Sequence, residues 1–513
     1  MTDKQNYKEY LKISKTADKQ KLQKLQAVRD LGINPYPYNF NQTIHATELI
    51  EKYSSLEVEE HRENEIYNVA GRLMLRRKMG KAGFYDIYDE TGRIQVYLQK
   101  PELTELENQL LSCLDIGDFI GITGFVFKTK TGEVSIHCKE IVLLSKSIAP
   151  MPEKFHGLSD MELRYRQRFV DMTMNPEVRE VFKKRSFIIN EVRNYLNERG
   201  FTELETPVLQ PIYGGANARP FTTHHNNLDM QLYLRISPEL YLKRLIAGGF
   251  EKVFDICKNF RNEGCDATHN PEFTMIEWYE AYTDYNYQMN QVEDMITTIV
   301  KKINNGSTKM KIRGFDIDFQ TPWKRLSIYD GLKEYAKIDP ENITKEEVIT
   351  ELKKYKTDIE EKKEKGELLV ELFEETCEEH LIQPTFVIDH PVEISPLTKI
   401  HRTKKGLVER FELFIAQKEL ANSYSELNDP IDQGFRLHEQ EAHREFDDEA
   451  QPMDKNFLHC VEFGMPPMGG VGIGIDRLVM FLTGQDIIRD VIPFPTMKLR
   501  KEDLDLILIV ILF

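Results

Sequence analysis

The amino-acid sequence predicts an α+β fold in which a small β-barrel precedes a larger domain with a mainly antiparallel sheet flanked by helices. Short alternating runs, separated by glycine-containing turns, fill residues 66–145. Helical periodicity takes over after residue 166, and strand-like runs such as KVFDICKNFR, EFTMIEWYE and ELANSYSE then follow with short connections. Short connections favour antiparallel pairing, because parallel strands need long crossovers.

Size and charge exclude some classes of function. The chain has 513 residues, so we expect two or more domains and a core large enough for an enzyme. Lys and Arg total 68 against 84 Asp and Glu, which gives a net charge of −16. Any contact with nucleic acid must therefore be local, because the surface as a whole is not basic.

Cysteine usage and hydropathy predict where the protein works. The six cysteines include no C-x-x-C pair, which is typical of a reduced compartment and gives no zinc signature. The N-terminus has no signal-peptide core, and no apolar run approaches the length that spans a bilayer. We therefore expect a cytoplasmic protein without membrane contact.

Composition divides the chain into segments. Residues 1–65 form a helical, partly basic extension. Residues 66–145 carry five short strands and a small helix, the pattern of an oligonucleotide-binding (OB) barrel, although a small β-sandwich would give the same strand count. A proline-containing linker at 146–165 leads to the α+β domain at 166–513, in which a charged, mostly helical insertion occupies about 304–384. The apolar end, LDLILIVILF, predicts a final buried strand or an exposed aggregation-prone segment.

The densest polar cluster lies in NFRNEGCDATHNPEFTMIEWYEAY, residues 259–282. Two strands joined by a polar turn would form a hairpin that gathers Arg261, Phe273 and Glu277. Arginine bonds phosphate oxygens bidentately, and the phenylalanine could stack on a base. A surface Arg–Glu ladder with a core Phe would explain any single pair, but not so many groups in one hairpin.

A second unusual stretch, GGVGIGIDRLVMFL, joins a glycine-rich strand to an apolar helix. It contains neither G-x-G-x-x-G nor a closing G-K-S/T, so it is not one of the familiar phosphate loops. Gly470, Gly472 and Gly474 predict a strand without side chains on one face, against which a flat ligand can lie. Arg477, at the start of the following helix, would face that ligand.

These segments carry a family resemblance. FRNEG…THNPEFTMIEWY resembles motif 2 of the class II aminoacyl-tRNA synthetases, GVGIGIDRLVM resembles motif 3, and VRNYLNERGFTELETPVL resembles motif 1, the dimer-forming segment. Together with the barrel, they resemble the subclass with aspartyl, asparaginyl and lysyl enzymes. GGANARPFTTHHNNLDMQLYLRISPELYLKRL and ELANSYSELNDPIDQ are similar to the lysyl enzymes. The resemblance spans Tyr67 to Lys498.

The resemblance implies a homodimeric class II catalytic domain that ligates L-lysine to tRNA(Lys) with ATP as substrate and Mg²⁺ as cofactor. The lysine carboxylate would attack the α-phosphorus of ATP and release pyrophosphate. The terminal tRNA hydroxyl would then attack the lysyl-adenylate and release AMP. A carboxylate is already ionised at neutral pH, so the first step needs alignment and charge neutralisation rather than a general base.

The resemblance also implies the residues of each site. The lysine pocket would contain Gly215, Glu239, Glu277, Tyr279, Asn422, Tyr424 and Glu426. The ATP contacts would be Arg261, Glu263, His269, Asn270, Phe273, Glu412 and Arg477. Among these, the catalytic cations would be Arg261 and Arg477. The Mg²⁺ ligands would be Glu412 and Glu419, and the anticodon contacts would be Phe84, Gln95 and Glu133.

Charge favours lysine as the amino acid. A buried ammonium must be met by carboxylates, whereas aspartate would need Arg or Lys. Glu239 and Glu426 are acidic, which argues against an aspartyl or asparaginyl enzyme. A different kind of function is also open, namely a non-charging RNA-binding protein built on the same scaffold. Whether Glu412 and Glu419 face each other depends on strand register, because a slip of one residue turns a side chain to the other face.

Overall fold

The computed structural model describes residues 3–152, 160–357, 359–360, 362–443 and 451–500. The chain divides into two compact units, Met1–Gly157 and Leu158–Phe513. The domain limits drawn from the sequence stay predictions, and the apolar end at 504–513 lies outside the described residues. Among the described residues, no helix is long and apolar enough to cross a membrane.

The first unit contains a closed β-barrel. Its strands are β1 His61–Met79, β2 Ala82–Tyr88, β3 Arg93–Gln99, β4 Phe119–Lys128 and β5 Val134–Ser145. Its helices are α1 Asp3–Ile13, α2 Lys19–Asp30, α3 Ala46–Lys52 and α4 Glu105–Cys113. The barrel closes in the order β1-β2-β3-β5-β4, with β3 and β5 parallel and the other pairs antiparallel. Closure distinguishes this unit from the β-sandwich that the strand count also allowed.

Local sequence sets the ends of these elements. Strand β1 starts at His61, inside the segment that the sequence assigns to the N-terminal extension. Helix α4 begins with a capping box, in which the Thr104 hydroxyl accepts from the Glu107 amide and the Glu107 carboxylate accepts from Thr104 in return. The small helix predicted between the third and fourth strands therefore forms where its capping residues stand.

The strands of the second unit follow in chain order: β6 Thr202–Glu203, β7 Leu209–Gln210, β8 Thr222–His225, β9 Met230–Leu234, β10 Lys252–Phe260, β11 Glu272–Ala281, β12 Lys309–Ile312, β13 Phe315–Asp318, β14 Lys324–Ser327, β15 Thr385–Ile388, β16 Arg410–Ile415, β17 Lys418–Ser425 and β18 Met468–Gly474. Its helices are α5 Met161–Arg166, α6 Arg168–Met174, α7 Pro176–Asn197, α8 Glu239–Ala247, α9 Tyr285–Ile303, α10 Ile328–Gly331, α11 Lys345–Leu352, α12 Lys365–Cys377, α13 Pro430–His443, α14 Lys455–Phe463, α15 Ile475–Thr483 and α16 Ile488–Val491.

An eight-stranded sheet in the order β14-β15-β16-β17-β18-β11-β10-β6 organises this unit. Only its outermost pairs, β14 with β15 and β6 with β10, run parallel. The prediction of an α+β fold with a mainly antiparallel sheet is therefore confirmed. Residues alternate between the two faces of each strand, so the packing of one face leaves the other free for a site.

One face of the sheet carries the main hydrophobic core. Trp278 of β11 and Val471 of β18 are buried there with residues of α7, α9 and α15. The Trp278 indole also donates a hydrogen bond of 2.8 Å to Oε1 of Gln288 on α9, which satisfies its buried N–H. The side chains between these core positions point to the opposite face, where the candidate site lies.

The segment at 304–384 differs from the predicted helical insertion in its first part. It opens with the β12–β13 hairpin and with β14, which joins the main sheet beside β15. Helices α11 and α12 follow and contribute Leu352, Leu369 and Phe373 to a second core, which also includes Leu326 of β14 and Phe414 of β16. The high Lys and Glu content of this segment conceals strands, because its exposed positions dominate the composition.

Lys146, directly after β5, offers a test of buried ion pairing in the barrel. Its side chain is 0% exposed, and its ammonium donates to Oδ2 of Asp115 at 2.8 Å and to Oδ1 of Asp118 at 2.9 Å. We expect Lys146→Met to lower the free energy of unfolding by about 3–5 kcal/mol, because Asp118 stays buried without its cation. Urea unfolding followed by circular dichroism measures this loss.

The control is Lys130→Met, since the Lys130 side chain is 84% exposed and only 3.5 Å from Oε1 of Glu59. An exposed pair contributes little, so its change in unfolding free energy should stay within about 0.5 kcal/mol. Equal losses in the two variants would contradict the role given to the buried pair.

Candidate active site

Three neighbouring strands, β17, β18 and β11, form the floor of a cleft in the second unit. Glycines of β18 stand between side chains of its neighbours in two rows, Glu277–Gly472–Asn422 and Tyr279–Gly470–Tyr424. The cleft encloses about 470 Å³. Its lining includes residues that the sequence assigned to the lysine and ATP sites: Gly215, Glu239, Arg261, Glu263, His269, Asn270, Phe273, Glu277, Tyr279, Glu412, Glu419, Asn422, Tyr424 and Arg477.

The glycines of β18 serve two different purposes. A Cβ at Gly470 would overlap Oε1 of Glu426 and the ring of Tyr279, so this position keeps room for the protein's own side chains. A Cβ at Gly472 would lie 3.2 Å from the Met275 methyl and 3.6 Å from Cγ of Glu277, which is tight but not impossible. Gly472 therefore leaves this part of the floor without a side chain, and the contact with a flat ligand stays a prediction.

A cluster of buried carboxylates closes one end of the cleft. Glu277 accepts hydrogen bonds from Oγ of Ser237 at 2.9 Å and from the Tyr279 hydroxyl at 3.1 Å. Burial, reinforced by the nearby Glu239 carboxylate, raises the pKa of Glu277 to about 8. Oε2 of Glu239 accepts from the Tyr424 hydroxyl at 2.6 Å. These carboxylates are the groups that a cationic ligand would stabilise.

Glu426 lies behind this cluster rather than in the lining. It follows β17 directly, is 1% exposed, and pairs with Lys243 of α8. Its Oε1 has no hydrogen-bond partner among the described residues. The sequence assigned Glu426 to the lysine pocket but did not single out Lys243.

A bend at Gly215 forms the rim above the carboxylates. Gly215 has a φ of +88°, and a Cβ there would lie 2.9 Å from Cβ of Glu239. Its amide donates to Oε1 of Gln451 at 2.8 Å. Gln451 is buried and lines the cleft, so it is a site residue that sequence reasoning missed.

Two arginines line the opposite end. The guanidinium of Arg261 lies 5.2 Å from the centre of the Phe273 ring, and burial lowers its pKa. Its Nε is buried and has no hydrogen-bond partner among the described residues, which suits an anionic ligand. Arg477 donates from Nη1 to the Glu419 carbonyl at 2.9 Å and from Nη2 to Nε2 of His269 at 3.1 Å.

Neighbouring residues fix these arginines and the turn between β10 and β11. Asp476, one residue before Arg477, accepts from Nη1 of Arg185 at 2.5 Å and from the Thr274 amide at 2.6 Å, which anchors the first turn of α15. Because Arg477 can only donate to Nε2 of His269, the His269 proton lies on Nδ1 and points to Oδ2 of Asp266, 2.8 Å away.

The two remaining residues of that turn differ in burial. The side-chain amide of Asn270 is buried and donates to the Glu272 carbonyl at 2.6 Å, so it shapes the turn. Glu263 is exposed at the mouth of the cleft. The structure thus brings the residues predicted for ATP to one end, with the carboxylates predicted for lysine at the other.

A β-bulge decides how Glu412 and Glu419 face each other. Glu412 pairs with Asn422, Leu413 pairs with Ala421, and the next pair is Phe414 with Glu419, so Leu420 is the extra residue of β17. In an unbulged hairpin Glu419 would share the face of Ala421, which packs in the core. The bulge moves Glu419 to the cleft face, beside Glu412.

The surroundings of these two glutamates differ. Burial opposes ionisation of Glu412, but Arg410, whose Nη2 donates at 2.6 Å, and His390 outweigh it and lower the pKa of Glu412 to about 2. Burial and the Glu412 charge raise the pKa of Glu419, against the effect of Arg477. A cation between the two carboxylates would offset their repulsion.

The residues predicted for the anticodon share the outer face of the barrel. Phe84 pairs with Tyr97 on β3, and their rings lie 4.9 Å apart. Gln95 is buried beside them, where its amide donates to Oε2 of Glu133 at 2.9 Å and its carbonyl accepts from Ser135 at 3.1 Å. An aromatic surface beside fixed polar groups is suited to stacking and reading unpaired bases.

Comparison with known proteins gives the family. Residues 160–498 match the family of class II tRNA synthetases (D, K and N), and residues 67–144 match the OB-fold nucleic acid binding domain. A lysine–tRNA ligase of Methanoculleus marisnigri is 52% identical over 94% of this chain and 95% of its own length. The chain belongs to the class II lysine–tRNA ligases. Two further relatives carry the same name. The Clostridium novyi enzyme is 52% identical over 94% of each chain, and the Syntrophomonas wolfei enzyme is 50% identical over 94% of this chain and 97% of its own length.

Membership of the lysine–tRNA ligases confirms the resemblance and the OB-fold of the first unit. The structure adds residues to which the sequence assigned no role, namely Ser237, Lys243, His390, Arg410 and Gln451. The spacing of Glu239 and Lys243, one helical turn apart, could have indicated a pair. Arg410 lies two residues before Glu412 on β16. The contacts of Ser237, His390 and Gln451 join residues distant in sequence and left no local signal.

The two glycines of the floor should respond differently to alanine. Gly470→Ala would force Glu426 and Tyr279 apart, so we expect a loss of unfolding free energy as well as activity. Gly472→Ala should keep the unfolding free energy within about 1.5 kcal/mol but weaken ligand binding, because its methyl group enters the cleft. Thermal unfolding with and without ATP distinguishes them, and full ATP stabilisation of the Gly472 variant would contradict the flat-floor interpretation.

Proposed function

We propose that this chain joins L-lysine to the 3′ end of tRNA(Lys) and converts ATP to AMP and pyrophosphate through a lysyl-adenylate. The observation that carries the proposal is the polarity of the cleft. Buried carboxylates stand at one end and the cations Arg261 and Arg477 at the other, across a flat strand. An amino acid with extra positive charge and a nucleotide phosphate fit these ends in one orientation only.

The carboxylates would receive the amines of lysine. Glu239 would bind the α-amino group, and Glu277 would face the substrate amines together with Tyr279 and Tyr424, while Glu426 adds its charge from behind them. Glu277 is largely protonated near neutral pH in the free protein, since its pKa is about 8. A bound ammonium would favour the ionised form, so lysine binding would release a proton from this position.

The cations would align and neutralise the reacting groups. Arg261 offers an unpaired Nε and a forked guanidinium to the α-phosphate, and the adenine would stack on Phe273 and extend towards Glu263. Arg477 would close the opposite side of the nucleotide. Attack by the lysine carboxylate adds negative charge at the α-phosphorus, which these fixed cations stabilise without a proton transfer.

We infer that Glu412 and Glu419 would hold Mg²⁺. Two observations support the fit of this cation. Both carboxylates lie on the cleft face of the sheet, and burial beside Glu412 raises the pKa of Glu419. Within the described residues no group of three or more His, Cys, Asp or Glu could hold a metal by itself. Mg²⁺ usually completes its octahedral coordination with phosphates and water, and it would supply neutralisation of the phosphate charge.

We also propose that the chain forms a homodimer, contacts the anticodon through Phe84, Gln95 and Glu133, and works in the cytoplasm. Large apolar residues near motif 1 are exposed in the single chain, including Phe187, at 41%, and Leu209, at 50%. Exposed apolar groups of this kind favour a self-complementary interface. The six free cysteines agree with a reducing compartment.

Amino-acid-dependent exchange of pyrophosphate into ATP tests the proposed function. We expect exchange with L-lysine and none with L-aspartate or L-asparagine, because the buried carboxylates would repel a side-chain carboxylate and would stay without a cation beside a carboxamide. Folded protein without lysine-dependent exchange would refute the proposal. If the same protein still bound tRNA, a non-charging RNA-binding role would replace it.

Glu239→Gln should raise the lysine KM about 10- to 150-fold, which corresponds to about 1.5–3 kcal/mol for one charge-assisted hydrogen bond. The ATP KM should change little, because Glu239 lies at the far end of the cleft. Glu263→Gln is the matched control on the nucleotide side and should alter the ATP KM alone. An unchanged lysine KM in Glu239→Gln would exclude the amine-binding role of this residue.

A further inference from the structure

Lys243 is the buried cation of the carboxylate cluster. It lies on α8 one turn after Glu239, with a side chain that is 0% exposed. Its Nζ donates to Oε1 of Glu239 at 2.6 Å and contacts Oε2 of Glu426. Lys243 is absent from the cleft lining, so it faces the carboxylates from the side opposite the ligand.

Acids and aromatic rings from several elements surround the ammonium of Lys243. Glu239 comes from the same helix, and Glu426 follows β17. The rings of Tyr424 (β17), Phe457 (α14) and Tyr279 (β11) have their centres 5.4, 5.9 and 6.0 Å from Nζ. Burial alone would lower the pKa of Lys243, but the two carboxylates outweigh it and raise the pKa. Lys243 therefore remains an ammonium near neutral pH.

The charges of the pocket match lysine only when Lys243 is counted. Glu239, Glu277 and Glu426 provide three carboxylates within the buried cluster. Lys243 forms an ion pair with this cluster, which leaves two net negative charges when all three carboxylates are ionised. L-lysine has two ammonium groups, whereas a neutral amino acid has one and would leave a buried carboxylate unpaired.

We propose that Lys243 is a positioning residue for amino-acid selection, which fixes Glu239 and Glu426 and adjusts the charge of the pocket to the two amines of lysine. This proposal rests on the proposed function, because it assumes that L-lysine is the occupant. Lys243 acts through the two carboxylates and does not touch the substrate.

Loss of this cation has a definite pH signature. Burial already raises the pKa of Glu426 in the intact cluster, and the Lys243 charge opposes that rise. Without Lys243 the pKa of Glu426 rises further, because only burial and the repulsion of the nearby carboxylates remain. Near pH 7 Glu426 would then hold a proton and contribute no charge to the pocket. At higher pH it would ionise and recover part of the affinity for lysine, since an acid with a raised pKa regains its charge only above that pKa.

The experiment measures lysine-dependent pyrophosphate exchange by full-length Lys243→Met and Lys243→Arg between pH 6.5 and 9. For Lys243→Met we expect a lysine KM raised about tenfold or more at pH 7, as loss of a charge-assisted contact implies, and a smaller increase towards pH 9. The ATP KM should stay within about twofold, because Arg261 and Arg477 are untouched. Lys243→Arg keeps the charge and should keep the wild-type pH profile.

Lys146→Met is the matched control. Lys146 is also a fully buried lysine between two carboxylates, but it lies in the barrel. Its loss should reduce stability without changing the lysine KM or its pH dependence. Should Lys243→Met fail to fold, Lys243→Gln provides a neutral amide that can still donate to Glu239, and the same pH-dependent increase in KM is expected.

The outcomes separate this proposal from the proposed function. Absence of lysine-dependent exchange in the wild-type protein would refute the function itself. An active wild-type protein with a normal lysine KM in the neutral variants would overturn the role of Lys243 alone. A lysine KM that increases equally at every pH would also overturn the role of Lys243. So would equal changes in the ATP and lysine KM values, because either result indicates general damage to the fold.

Discussion

The structure of the cleft depends on burying several carboxylates beside one another, which requires the protein to offset their desolvation and mutual repulsion. Three devices permit this. Lys243 pairs with two of the acids from behind, tyrosine hydroxyls donate to Glu239 and Glu277, and Gly470 leaves the space in which Glu426 and Tyr279 meet. Each device costs stability elsewhere, since a buried lysine, buried hydroxyls and a side-chain-free strand contribute less to folding than a hydrophobic core.

Strand register gives the cleft its order. The rows Glu277–Gly472–Asn422 and Tyr279–Gly470–Tyr424 exist because β18 lies between β11 and β17 with no slip, and core residues such as Trp278 and Val471 hold that register from the other face. Leu420 is the one place in these strands where the alternation is broken on the cleft side. The bulge there turns Glu419 towards Glu412, so an irregularity of the backbone creates the carboxylate pair.

Much of the fold and of the site could be predicted from sequence because the information is local. Alternating runs specify the strands of the barrel and sheet, and the motif around Arg261 and Phe273 lies within one hairpin. The failures are equally physical. The facing of Glu412 and Glu419 depends on a bulge that no alternation pattern contains, and strands β12–β14 lie in a segment whose composition is dominated by exposed Lys and Glu. Gln451 reaches the site through a contact distant in sequence, with the amide of Gly215.

The same electrostatics links ligand binding to stability. Glu277 is protonated in the free fold at pH values where it would be ionised in the unfolded chain, because its pKa rises from an ordinary value to about 8. The folded state then binds more protons than the unfolded state, so the free protein loses stability as pH rises through this range. A bound ammonium beside Glu277 favours the ionised carboxylate and so removes this loss of stability at higher pH. The empty pocket therefore destabilises the fold most when Glu277 is ionised. The second ammonium group of lysine can neutralise that charge, whereas a neutral side chain cannot.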